Sequence, residues 1–413
     1  MSILSPMLTP RTNLTRRILG ALDASPSRIP VLVGGCGSGR TTVLQQLRER
    51  LGRTEALYLD VERTATTPER FLRAIVASSP FPVNEPAPVG ARAAFDATLG
   101  FLCRARSASG EPVTVLLDEF LETRTFESFP GLRRVLYDLV EGLTASGNRF
   151  VLTSRYVART LRLLRDRSSR FEVIHMPALT AEDTLDMLGV AGAAPALRGA
   201  PGDAPDLGDH GDPGDPGDND GDYLARTVQT LADGRPAYVR ALADELTLMR
   251  EHGGGGPMVS DPIGALAALM GTEGRLSKLC HFCYELRLHR ARGYGALKAI
   301  LEILGEEEGL TLTEISQRLQ RTPGSTKDYL SWLEDVDLVT ATQKRYSFTD
   351  PLLRVWVRLH CRATAPTEDD LAREVHRYAL PRLPQPPEPR PQPAEAAYAM
   401  ATVGSGSGII EID

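Results

Sequence analysis

The sequence predicts an α/β protein: a parallel sheet with helices on both faces, followed by a helical lid and a smaller helical unit that ends in a β-hairpin. Three observations carry that expectation. Five short, nearly all-apolar runs alternate with stretches of helical periodicity over residues 1–178, the pattern of parallel strands covered on both faces. A glycine-rich turn joins the first of those runs to a helix, and the third run ends in two adjacent carboxylates. A chain of 413 residues exceeds what one core usually organises, so two folded domains plus tails are expected.

The elements follow in order. Residues 13–22 (NLTRRILGAL) space apolar side chains for a short helix, with Asn13 or Thr15 as its cap. The strand runs are IPVLVGG from Ile29, then residues 56–61 (ALYLDV), 113–117 (VTVLL), 150–153 (FVLT) and 171–176 (FEVIHM). After Pro177, LTAEDTLDMLGV reads as a helix capped by Thr180, and helical text resumes at Tyr223. These segments make a lid over residues 179–252. Between them, residues 191–222 form a Gly/Pro/Asp insert with almost nothing to bury, which predicts disorder; its Asp spacing fits no EF-hand loop. A glycine run marks a linker over 253–263, and helical text returns from Gly264 to about Leu304.

Charge and cysteine content narrow the class. The insert carries eight aspartates and no Lys or Arg between Asp203 and Asp222; without them the net charge of −6 becomes +2, so the folded parts are near neutral. Five cysteines suit free thiols in a reducing compartment. No run approaches the roughly 18 apolar residues of a membrane helix, and the first residues lack a signal-peptide layout, so a soluble, cytoplasmic protein without a membrane partner is expected. Cys280, His281 and Cys283 look like half a zinc site, with His289, His360 and Cys361 as completions, but no second pair has the required spacing; buried thiols on a helical face are the expectation.

The chemistry concentrates on Gly34-Gly35-Cys36-Gly37-Ser38-Gly39-Arg40-Thr41-Thr42. Between a strand and a helix, glycines let backbone N–H groups curl around phosphates while the helix N-terminus adds its dipole. The spacing matches the P-loop pattern G-x-x-x-x-G-K-[ST], except that Arg40 stands where lysine is usual. Guanidinium is bulkier than ammonium and hydrogen-bonds as a fork, so Arg40 bears on turnover as well as on phosphate binding. Only four of the 47 basic residues are lysine, which makes Arg40 part of a chain-wide preference for arginine. Thr41 would offer a hydroxyl to Mg²⁺. Asp118, ending the strand VTVLLD, would bind the same ion through its water shell, and Glu119 would polarise a lytic water as general base. Thr153 or Ser154 would reach the γ-phosphate or that water, and Arg155 would sense charge, if the strand 150–153 lies between the phosphate-loop strand and the acidic one. In the lid, Gly234-Arg235-Pro236 would lay Pro236 against the nucleotide and Arg235 against phosphate.

Residues 310–359 read as helix, turn, helix, then two short strands and a closing helix. Thr313 is the expected cap of the first helix, residues 325–333 the second, and 336–342 with 345–348 the hairpin. This is the pattern of a winged helix, whose second helix commonly enters a major groove. Lys327, Lys344, Arg345, Arg318 and Arg321 could meet DNA phosphates, with Asp328, Glu334, Asp335 and Asp337 close by. Residues 264–364 make up this domain. Residues 365–413 supply one charged helix, a Pro-rich spacer and a disordered tail ending IIEID, which could dock on a protein partner by strand addition.

Taken together, GGCGSGRTT, YLDV, VLLDEF, VLTSR, GRP and RYSFTDPLLRVWVRL resemble the archaeal-type ATPases of the STAND and AAA+ superfamilies, over most of residues 11–362. The resemblance implies ATP and Mg²⁺ as ligands, with Thr41, Asp118 and Glu119 in the matching roles; Arg40 departs from its pattern. Three functions stay open: a hydrolysing switch that moves the winged helix, a non-hydrolysing nucleotide-binding adaptor, and a DNA-binding regulator. Oligomers are compatible with all three.

Overall fold

A computed structural model describes residues 11–82, 88–190, 216–252, 261–289 and 293–385. The sheet contains β1 (Ile29–Val33), β2 (Ala56–Asp60), β3 (Thr114–Asp118), β4 (Arg149–Ser154) and β5 (Phe171–His175), all parallel, in the order β2-β3-β4-β1-β5. Around it lie α1 (Thr12–Leu22), α2 (Arg40–Leu51), α3 (Val61–Thr64), α4 (Pro68–Ser78), α5 (Ala91–Arg104), α6 (Val135–Ala145) and α7 (Val157–Leu164). Every residue of β1 and β3 is buried, as strands covered on both faces must be. Alternation splits them: Leu32, Leu116 and Val151 pack with Leu14, Ile18 and Leu44 under α1 and α2, while Val31, Val115 and Phe150 share the opposite core with Phe71 and Phe95.

β4 lies between β1 and β3, the condition on which the expected placement of Thr153, Ser154 and Arg155 depended. Register then brings the carboxyl ends together: Val33 lies beside Ser154, and Asp60 beside Asp118. That edge is where parallel α/β sheets bind ligands.

The lid comprises α8 (Ala181–Val190), α9 (Pro216–Leu231) and α10 (Pro236–His252). Thr180 caps α8, exchanging hydrogen bonds with Asp183. The expected disordered insert, 191–222, is corrected at its end: α9 begins at Pro216, and Asp222 pairs with Arg226 one turn on. Residues 191–215 lie outside the described residues, as do 253–260 of the linker.

Next come α11 (Pro262–Met270), α12 (Arg275–Leu288) and α13 (Tyr294–Glu306), then β6 (Leu310–Thr311), α14 (Leu312–Leu319), α15 (Pro323–Asp335), β7 (Val339–Thr342) and β8 (Arg345–Phe348). The three strands are antiparallel in the order β6-β8-β7. The cap of α14 is Thr311, in a capping box with Glu314, rather than Thr313; two residues earlier is where the chain leaves β6. Thr322 caps α15, whose first turn takes Pro323.

α16 (Pro351–His360) and α17 (Glu368–Ala379) close the chain's described part. α17, expected among the tail segments, is instead integral to the fold. Its Glu374 forms a buried pair with Arg358, and the Tyr378 hydroxyl donates to Leu231 O. One contiguous apolar cluster runs from the sheet through the lid to α16 and α17.

The C-terminal unit docks on the sheet domain through charges that lie far apart in sequence. Arg162 of α7 pairs with Asp335, and Asp337 Oδ1 accepts from the amide of Ala158, capping α7 from outside. Burial raises the Asp337 carboxyl to about 6, against the pull of the Ala158 amide and Arg287. A carboxyl raised in the folded state costs stability as pH climbs from its unfolded value, about 3.9, through its folded one. Asp337→Asn keeps the acceptor and removes the charge. It is expected to stabilise the protein by about 1–3 kcal/mol above pH 6 and to change little near pH 4. Thermal unfolding across pH 4–8 reads that difference.

Candidate functional site

The loop from Gly34 to Gly39 leaves β1 and enters α2 at Arg40. It turns tightly because Gly37 and Gly39 take φ of 76° and 84°, where a side chain is strained. A Cβ on Gly37 would also meet Ala237 Cβ at 3.2 Å, since the lid closes directly over the loop. Ala237 N donates to Gly37 O at 3.2 Å, and Pro236 packs over Gly39. A cavity of about 330 Å³ opens against this loop, bounded by residues 37–43 and, on the lid side, by Leu179, Met187, Pro236, Ala237 and Arg240. Arg11 completes the wall. Its Nη1 and Nη2 are buried without a hydrogen-bond partner among the described residues.

Arg40 is buried beside the cavity. Its Nη1 donates to Gly34 O, to Gly35 O at 2.6 Å and to Ser38 Oγ at 2.9 Å, bracing the loop from within. Its Nη2 donates to Glu119 Oε1 at 2.6 Å. Lysine has no second arm for such a bridge.

Glu119 is held from two sides. Arg155 N donates to Glu119 Oε2 at 2.9 Å, and Arg155 Nε lies 3.2 Å from the same oxygen, while Arg155 Nη2 pairs with Glu62. Burial would raise the Glu119 carboxyl, but the charges of Arg40 and Arg155 outweigh it and hold the group below the ordinary carboxylate range. Its backbone sits in the left-handed region at φ 57°, a strained conformation for a residue with a side chain. Thr153 Oγ1 accepts from Glu119 N at 2.9 Å and donates to Asp118 Oδ1 at 2.5 Å. Thr153 is thus fully buried and occupied in orienting the acidic pair. Tyr58 donates to the other oxygen of Asp118 at 2.9 Å.

For Mg²⁺ the residues present fit. Thr41 is exposed on the first turn of α2, and both Asp118 oxygens accept one hydrogen bond each and keep acceptor capacity. No trio of metal-binding side chains occurs among the described residues.

Arg235, expected at phosphate, bridges two parts of the molecule. Nη1 donates to Cys36 O at 3.2 Å and to Asp350 Oδ2 at 2.7 Å. Tyr238 donates to the same Asp350 oxygen at 2.7 Å, and Asp350 caps α16 through the amides of Leu352 and Leu353.

Sequence patterns placed the loop, the acidic pair, Thr153, Arg155 and Pro236 at one edge, and the structure brings them there. Tyr58, Glu62, Arg11, Arg240, Asp350 and Arg287 escaped detection. Only Asp350 had a signal, its Asp-Pro step; the others are ordinary residues whose partners lie far away in sequence. The tail from residue 386, expected to dock on a partner, lies outside the described residues. No described helix is long and apolar enough to cross a membrane.

No protein-family model and no curated protein matches the chain. Among solved structures it is similar to the Walker-type ATPase PABY2304 of Pyrococcus abyssi, at 14% identity over 85% of this chain and 96% of that one, with a TM-score of 0.56. It is also similar to Orc1 of Aeropyrum pernix in complex with DNA (18% identity, 89% and 94% of the two chains, TM-score 0.43). A third structure is Cdc6p of Pyrobaculum aerophilum (13% identity, 92% and 98%, TM-score 0.38). The likeness to the Walker-type ATPase is one of fold: a P-loop α/β sheet followed by a helical C-terminal region.

Proposed function

We propose that this chain is an ATP-binding and ATP-hydrolysing switch of the AAA+/STAND kind, in which nucleotide state sets the position of a winged helix formed by residues 294–348. The observation that carries the proposal is the 2.6 Å ion pair between Arg40 and Glu119. Arg40 has its Nη1 in the phosphate loop and its Nη2 on the residue placed to activate water. An incoming phosphate is a stronger competitor for that guanidinium than a singly charged carboxylate. ATP would therefore take Arg40 away from Glu119 and leave Glu119 free to accept a proton from water. Asp118 and Thr41 would hold Mg²⁺, which supplies charge neutralisation between the β- and γ-phosphates. The route to the C-terminal unit runs through Arg235, which touches both the loop carbonyl of Cys36 and the cap of α16.

Basic residues on the winged helix give weaker support to DNA binding. Arg318 is paired with Glu307, and Arg345 donates to Gly309 O, so two of the five are used internally. Calorimetric titration of the protein with ATP, with and without Mg²⁺, tests the nucleotide reading: saturable binding that tightens with Mg²⁺ is expected, and no heat under either condition refutes it.

A further inference from the structure

A second cavity, of about 530 Å³, lies in the seam between the sheet domain and the C-terminal unit. It shares no lining residue with the cavity at the phosphate loop. One wall is the 3-10 helix Phe120–Ser128, which starts directly after Glu119, with Phe129 at its end and Tyr156 and Arg159 of the α7 region alongside. The other wall comes from α12 and α15, which contribute Leu286, Arg287, Trp332 and Val336. Arg159, half-buried, makes no hydrogen bond and no ion pair with any described residue; its guanidinium lies 5.1 Å over the Tyr156 ring. The other two arginines on these walls have acids of their own. Arg124 reaches Glu127 at 3.5 Å, and Arg287 has the Asp337 carboxyl as a neighbouring charge. Asp335, the carboxylate that acts most on Arg159, is held by Arg162 through both oxygens. Burial and the like charge of Arg124 hold the Arg159 guanidinium below its ordinary value, and Asp335 and Glu122 do not make up the difference. A cation that faces a cavity without an acid of its own is stabilised by an anion placed there.

We propose that this seam cavity binds a small aromatic carboxylate, its anion paired with Arg159 and its ring among Phe129, Leu286 and Trp332. A carboxylate meets a guanidinium through two parallel hydrogen bonds, the geometry a planar fork offers. Arg159 supplies that fork at little cost, because no existing hydrogen bond has to break and the Tyr156 ring beneath it already limits its freedom. Apolar walls with a few polar groups are the usual makeup of small-molecule sites, and excluding water strengthens the ion pair inside. Two sources share this chemistry, a simple aromatic acid and a free aromatic amino acid. Glu122 and Glu127 on the same wall would receive the ammonium of the second. The occupant would touch both units at once and so reinforce the docking made by Arg162 with Asp335 and by Asp337 with α7. The site stands apart from the nucleotide reading and holds whether or not that reading does.

The test titrates the full-length protein with phenylacetate and with phenylalanine, following heat and tryptophan emission. Trp332 and Trp356 are the two tryptophans of the chain, and of these Trp332 lines the cavity. Saturable binding with a Kd of about 1 mM or tighter is expected, the reach of a ligand of about ten heavy atoms. The emission change should vanish in Trp332→Phe while the heat remains. Arg159→Gln should weaken binding by roughly tenfold or more, the worth of a hydrogen bond to a charged group, and Arg159→Lys should restore most of it. Because Arg159 makes no hydrogen bond or ion pair with any described residue, both variants should melt as wild type does without ligand, which separates lost binding from lost structure. Tighter binding of phenylalanine than of phenylacetate identifies the amino acid as the source, and weaker binding identifies the simple acid. No saturable binding of either acid overturns the proposal. So does benzyl alcohol binding as tightly as phenylacetate, or Arg159→Gln binding the acids as tightly as wild type.

Discussion

Glu119→Gln is expected to lower steady-state phosphate release from ATP by about 10²–10⁴-fold, the usual contribution of a positioned general base. Glutamine keeps the shape, but its single carbonyl oxygen can accept from only one of Arg40 and the Arg155 amide, which donate to different oxygens of the carboxylate at 2.6 and 2.9 Å. It cannot take a proton from water. The fold should survive the change, because the strained backbone at Glu119 is fixed by Thr153, which accepts from its amide. Wild-type release no faster than that of Glu119→Gln would place the natural chain among nucleotide-binding adaptors without turnover.

Arg40→Ala should strike both folding and ligand. Breaking a buried ion pair by removing one partner costs about 3–5 kcal/mol. Here the guanidinium also donates to Gly34 O, Gly35 O and Ser38 Oγ, so the loop loses its internal brace with the pair. Arg155 remains beside Glu119 and limits the loss. We expect a fall of several degrees or more in Tm, together with ATP affinity too weak to measure at micromolar protein. Arg40→Lys separates the two effects. An ammonium still serves phosphate but cannot span loop and Glu119 together, so stability should drop while turnover rises above wild type. Thermal melts and phosphate release on the same samples read both.

The sheet was legible because its strands are short apolar runs with no competing period; the place of β4 between β1 and β3 was a condition of the site reading that only the strand pairing fixes. The loop and acidic pair were legible for the same local reason: phosphate chemistry fixes residue type and spacing within a few positions. What Arg40 does was not. Its spacing places it at the phosphate, but the partner is Glu119, 79 residues on, and only tertiary structure sets that distance. The same holds for Asp350 on Arg235 and Asp337 on α7. Composition misled at the margins, where acidic and glycine-rich text hid the start of α9 and a charged surface hid the buried Arg358–Glu374 pair of α17.

Competition for one guanidinium is the core of the account, and ATP affinity in Mg²⁺ compared between wild type and Glu119→Gln measures it. Removing the competing carboxylate charge should tighten binding by roughly 10–100-fold, the worth of one hydrogen bond to a charged group. Equal or weaker binding by Glu119→Gln would mean that phosphate and Glu119 do not share Arg40.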